Sequence, residues 1–229
     1  MSNKHKLRWL GHAAWELTTS GGKVLLFDPW INGNPKAAVK IEDLKADYIL
    51  ITHDHFDHAS DLPAVVEQTG ATVILQPETA ARYQKEGVPE DKCIGMNIGG
   101  SVELDGIVVT MTEAYHSSET GEPAGFIVTL EDGKRVYDAG DTGIHCNMAT
   151  LAELYPLDVA ILPIGGHFTM DPRQAAHALT FLKPKVAVPQ HFGTFPLLVQ
   201  SADDFVRFAR QKAPGTEIVV LEPGKSFEF

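Results

Sequence analysis

The stretch ITHDHFDHASD, residues 51–61, places three histidines and two aspartates within the six positions from His53 to His58. It follows directly on the apolar run Tyr48, Ile49, Leu50, Ile51. Such a run reads as a buried strand, so the polar cluster sits where a strand ends. His53 and His55 are two apart and, in extended backbone, project to the same side, where they can grip one ion together. Imidazoles at this density are unusual for a surface loop and point to metal ligation.

Outward from this stretch, short β-type runs alternate with helical ones, the pattern of a layered α/β fold. Early runs at 6–10, 14–18 and 23–27, broken by Gly11 and by Gly21 and Gly22, read as a β-meander. Further strands are expected at 47–52, 72–75, 107–112, 125–130, 135–138, 158–163, 185–189 and 217–221. Helices are expected around 62–68, 78–86, 149–154, 172–182 and 202–212. The fourth of these is the best marked: Asp171 caps it, Pro172 suits its first turn, and Gln174 completes a capping-box pattern.

With the runs in place, the polar residues fall into a pattern. His53, His55, Asp57 and His58 follow one strand, His116 a second, Asp141 a third and His191 a fourth. All sit at carboxyl ends, the edge where loops of α/β sheets converge into a site. His116 is the natural third nitrogen for His53 and His55, and three imidazoles suit a borderline metal such as zinc. Asp57 and His58 face a second ion alongside His191, and Asp141 bridges the two. Ions about 3.5 to 4 Å apart would share a hydroxide, the nucleophile.

THDHFDH resembles the HxHxDH signature of the metallo-β-lactamase superfamily, and His116 in EAYHS, Asp141 in DAGDTG and His191 in PQHFG match its later ligands in order. More narrowly, LGHAAWEL, LLFDPWINGNP, LPIGGHFTMD and PQHFGTFPLL are similar to a bacterial and archaeal group of metal-dependent hydrolases. That group is related to ascorbate-phosphate lactonases and to the phospholipase D acting on N-acylphosphatidylethanolamines. The resemblance covers almost the whole chain and implies a four-layer αββα sandwich with a dinuclear site at one edge of its sheets. It makes Asp28, in LLFDPW, a carboxylate that orients a ligand histidine, where an aspartate before proline otherwise often just makes a turn. His12, in the matching GHAAW stretch, is given a supporting place at the site, against the plainer reading of a hairpin residue.

Asp57 and His167 are the residues expected to take part in the chemistry, Asp57 as a ligand and His167, after Gly165 and Gly166 at a strand end, as the proton donor or substrate contact. His145 and Cys146 read as an incidental surface pair, and Phe168, Met170, Phe192 and Phe195 as core or a substrate wall. His5 and His177 are given no function.

At 229 residues and 44% hydrophobic, the chain suits one large domain, 1–229, with a substantial core. Cys93 and Cys146 form no CxxC and read as free thiols. A net charge of −11 repels a polyanion, so no nucleic acid partner is expected. MSNKHKLRWLGH has no apolar h-region and no run is long enough to span a bilayer, so the chain reads as cytoplasmic, with a small-molecule substrate and homo-oligomerisation open.

The function expected is a metal-dependent hydrolase that uses a dinuclear-metal-bound hydroxide to cleave an ester, lactone or phosphodiester bond. Zn2+ is the first choice of metal, with Mn2+, Fe2+ or Ni2+ as alternatives. The rivals are a metal-dependent nuclease or phosphodiesterase acting on nucleic acid, and a non-enzymatic metal-sensing domain on the same fold. Diiron flavoproteins of the superfamily carry glutamate where this chain has His55, which argues against a redox role.

Overall fold

The structure, a computed structural model, describes residues 4–229. The chain forms two compact units. The first takes everything up to Gly100 together with Ser117–Glu122 and Leu221–Phe229, and the second takes Ser101–His116 and Pro123–Val220. Strands and helices are numbered below along the whole chain.

The first unit holds β1 (Lys6–Gly11), β2 (Ala14–Thr18), β3 (Val24–Phe27), β4 (Tyr48–Leu50), β5 (Thr72–Leu75), β6 (Cys93–Gly95) and β14 (Ser226–Glu228), in the sheet order β14-β1-β2-β3-β4-β5-β6. β1, β2 and β3 are the expected antiparallel meander, with Trp9 opposite Trp15 and Trp15 opposite Phe27. From β3 to β6 the pairing is parallel. β1, β3 and β4 therefore run the same way, and their carboxyl ends deliver His12, Asp28 and His53 to one edge.

Three helices belong to this unit: α1 (Phe56–Ala59), α2 (Leu62–Thr69) and α3 (Pro77–Lys85). Ile49 and Val73 of the sheet form one buried cluster with Leu62, Val65 and Val66 of α2 and Ala80 and Tyr83 of α3. Each fully buried side chain of this size contributes about 1.5 to 3 kcal/mol, which fixes α2 behind the histidine-bearing loop. α2 stops at Gly70, whose left-handed φ of 68° lets its N–H reach the Val66 carbonyl. The strand expected at 47–52 ends at Leu50 because the Thr52 N–H leaves the ladder for the Asp28 carboxylate, at 2.8 Å.

The second unit holds β7 (Ser101–Leu104), β8 (Ile107–Glu113), β9 (Ala124–Thr129), β10 (Arg135–Asp138), β11 (Val159–Pro163), β12 (Val186–Gln190) and β13 (Glu217–Ile218), in the order β13-β12-β11-β10-β9-β8-β7. β7 to β10 pair antiparallel, and β10 to β13 parallel. β11 is buried at all five positions, as its unbroken apolar run VAILP requires of a central parallel strand. Its helices are α4 (Asn147–Leu154), α5 (Pro172–Leu182) and α6 (Asp203–Lys212). α5 starts and ends where the sequence places it, and both hydrogen bonds of the Asp171–Gln174 capping box are present. β8, β10, β11 and β12 share a direction and carry His116, Asp141, His167 and His191 just beyond their carboxyl ends. No helix among the described residues is long and apolar enough to cross a membrane.

Candidate metal centre

In the first unit, the donor set is organised by Asp28, which is buried and held at a φ of 40°. Its Oδ1 accepts the Thr52 N–H at 2.8 Å, and its Oδ2 accepts the Thr52 hydroxyl at 2.6 Å and the His58 Nδ1 at 2.7 Å. An ionised carboxylate only accepts, so His58 carries its proton on Nδ1 and presents Nε2 as the lone-pair nitrogen. Thr52 gives its one hydroxyl proton to Asp28, so toward His53 Nδ1, 3.0 Å away, it accepts. His53 is thereby also set to present Nε2. One carboxylate fixes the tautomers of two histidines, the arrangement metal sites use to orient ligands. Asp28, His53 and His58 each bring a donor atom within 4.8 Å of the others.

The donor spacing suits an ion. His53 Nε2 lies 3.0 Å from His55 Nδ1. Two nitrogens bound tetrahedrally at about 2.0 to 2.1 Å from one zinc would lie about 3.3 Å apart. His12 is fully buried, its ring edge-on to Trp30 at 5.4 Å, and its Nε2 stands 3.2 Å from Asp57 Oδ2. The turn that brings it there needs Gly11: at a φ of 119°, a Cβ would run into the Lys36 carbonyl.

Asp54, between the two histidines, was passed over in the sequence and is fully engaged in the structure. Its Oδ1 accepts the Ser118 hydroxyl at 2.7 Å and the N–H groups of Glu119 and Thr120 at 2.7 and 3.1 Å. Its Oδ2 accepts the Thr120 hydroxyl and, at 2.8 Å, the Arg82 guanidinium. Burial alone would push this carboxyl up, but the hydrogen bonds from Thr120, Ser118 and Arg82 outweigh it and hold the pKa at about 2. No spacing rule foretells partners more than sixty residues away.

In the second unit, Asp141 Oδ2 lies 3.0 Å from His191 Nε2 and 3.5 Å from His116 Nε2. A single carboxylate oxygen between two imidazoles has the placing a shared ligand needs. The Tyr115 N–H donates to the Thr142 hydroxyl at 2.9 Å, and the Gly143 N–H to the Tyr115 carbonyl at 3.0 Å, which ties the loop of His116 to that of Asp141. Gln190 donates to Asp138 at 3.0 Å and joins the ends of β12 and β10. A Cβ on Gly165 would meet the His191 carbonyl, so this loop packs against His191 only as glycine. His12, Asp28 and His191 are three of the five non-glycine residues with left-handed backbone among the described residues. Strain of that kind, on the order of 1 to 3 kcal/mol each, gathers at functional sites.

His167 stands apart, exposed on the bend after β11 with its ring edge-on to Phe168 at 4.6 Å. His145 is not a surface residue: it is buried beside Glu113, which lies 3.8 Å away, and burial pushes its imidazole pKa down. Cys146 is exposed. Met170 and Phe192 are buried, while Phe168 is half exposed.

The family model described as the Beta-lactamase superfamily domain matches residues 23–192. A UPF0173 metal-dependent hydrolase of Methanopyrus kandleri is 42% identical over 97% of this chain and 99% of its own. Among solved structures, Igni18, a metallo hydrolase from the archaeon Ignicoccus hospitalis, is 37% identical, with a TM-score of 0.90 over 99% of this chain and 98% of that one. The metallo-beta-lactamase fold protein YhfI of Bacillus subtilis superposes over both whole chains with a TM-score of 0.77 at 13% identity, a likeness of fold alone.

Proposed function

The chain belongs to the metallo-β-lactamase superfamily, and from that premise we propose that it is a metal-dependent hydrolase with two divalent ions, acting on an ester, lactone or phosphodiester bond of a small substrate. The observation that carries this reading is the Asp28 network, which turns the Nε2 lone pairs of His53 and His58 outward and costs a strained backbone to do so. The name of the M. kandleri relative supports it.

In this reading His53, His55 and His116 hold one ion, Asp57, His58 and His191 the other, and Asp141 serves both. Nitrogen and carboxylate donors suit zinc first, and manganese, iron or nickel nearly as well. Bound there, such ions supply a nucleophile from water at neutral pH and polarise the scissile group. The chain's own contribution is positional. Asp28 holds the two imidazoles, His12 holds Asp57, and Asp138 with Gln190 holds the strand ends that carry Asp141 and His191. His167, exposed on its bend, gives a proton to the departing oxygen.

The test is a metal assay and a substrate screen on one sample. Elemental analysis should find close to two equivalents of transition metal, and the loaded protein should hydrolyse at least one member of a panel of phosphodiesters, lactones, thioesters and β-lactams. A protein that carries no such metal and takes none up on reconstitution would refute the reading.

A further inference from the structure

The segment Ser117–Glu122 follows directly on His116, yet it belongs to the first unit. It has no helix or strand to hold it; side chains of the first unit do so instead. Asp54 takes the Ser118 hydroxyl, the backbone N–H groups of Glu119 and Thr120, and the Thr120 hydroxyl. Thr79 of α3 donates to the Thr120 carbonyl at 3.0 Å, and Gln76, the residue before α3, accepts the Glu122 N–H at 2.6 Å. Arg82 of α3 reaches both Asp54 and Glu119 at 2.8 Å. Gly121, at a φ of 65°, leaves no room for a Cβ beside the Gln76 amide oxygen.

Asp54 is thus flanked covalently by His53 and His55, and its carboxylate grips the residues that follow His116. We propose that Asp54, with Arg82 and Thr120, is a positioning clamp that sets the affinity of the three-histidine ion site by fixing where His116 enters it. The proposal rests on the two-ion reading above. Asp54 holds no ion itself; both its oxygens are occupied by N–H and O–H donors. Its effect should therefore be selective. The second ion's ligands Asp57, His58 and His191 are positioned by other means, through His12, Asp28 and Gln190.

The experiment is zinc binding by equilibrium dialysis against a competing chelator, together with the visible spectrum of the cobalt-loaded protein, on Asp54→Ala, Asp54→Asn and Thr120→Val. Loss of a partner that orients a ligand typically weakens metal binding by about 10- to 100-fold. Asp54→Ala should lose that much at one ion and less than about threefold at the other, with the cobalt bands of one site alone changed. Asp54→Asn keeps an acceptor for Ser118 and the two N–H groups and should recover part of the loss. Thr120→Val removes one donor, keeps the shape of the side chain, and should weaken the same ion by a smaller factor, so the clamp stays testable if Asp54→Ala does not fold. Wild-type affinity for both ions in Asp54→Asn and Thr120→Val would overturn the clamp, as would equal weakening of both ions, which is what a merely structural role produces. If the wild type itself binds no metal, it is the two-ion reading that fails.

Discussion

Asp28 does at residue scale what no single ligand does: it sets the protonated nitrogen of His58 directly and of His53 through Thr52. Replacing it with alanine leaves both imidazoles in place but frees them to swing and to change tautomer. Asp28→Ala should weaken metal binding by about 10- to 100-fold, read by chelator competition. Because the two histidines it sets are proposed as ligands, one in each proposed site, both ions should weaken, which sets it apart from Asp54→Ala. Unchanged affinity would mean that the network is structural only. His167 separates chemistry from metal binding, since it is exposed and outside both donor sets. His167→Ala should keep both ions and the fold while turnover drops about 10²- to 10⁴-fold, the usual worth of general acid help. Loss of an ion would make it a ligand; normal turnover would leave it a loop residue.

At the scale of elements, the Asp171 capping box of α5 was legible because its signal is local: three residues at fixed spacing satisfy the helix's own first N–H groups. Asp171→Ala should cost about 1 kcal/mol in urea unfolding with the m-value unchanged; a cost near zero would mean that Pro172 alone starts the helix. β6, β7 and β14 were missed for the opposite reason. They are three or four residues long, partly exposed, and defined only by the neighbours they pair with. Segment 117–122 was invisible in the same way, because what orders it is a carboxylate distant in sequence. Its acid response follows from that carboxylate. Asp54 has a depressed pKa, so the stability it gives is fully present above the ordinary carboxylate value of 3.8 and is lost as pH falls through about 2. In metal-free protein, amide exchange of Glu119 and Thr120 followed by NMR should keep its protection at pH 4 and lose it near pH 2. Loss already at pH 4 would show that Asp54 does not hold the segment.

Over the whole molecule, the candidate ligands stand out in the sequence because each follows a strand that its own apolar run announces, whereas the division into two units does not. The chain crosses between them at positions no composition change marks: Gly100 to Ser101, His116 to Ser117, Glu122 to Pro123 and Val220 to Leu221. On the proposed reading, the ions take donors from segments far apart in the chain, so the filled sites exist only in the native state. Metal then stabilises by mass action, by about 2.7 kcal/mol for each ion present at a hundred times its dissociation constant. Chelator should lower the melting temperature of the holoprotein, and added zinc should restore it in a concentration-dependent way. The increment should also depend on pH with a definite sign. Ligand imidazoles must be deprotonated to bind, so protons compete with the metal once pH falls below about 6.5, the ordinary histidine value. The melting temperatures of metal-loaded and metal-free protein should therefore stand well apart at pH 8 and converge toward pH 5, and calorimetry on both forms across that range measures the gap directly. A gap that stays constant down to pH 5 would mean that carboxylates rather than histidines hold the ions, and one that is absent at pH 8 would mean that the native state binds no metal.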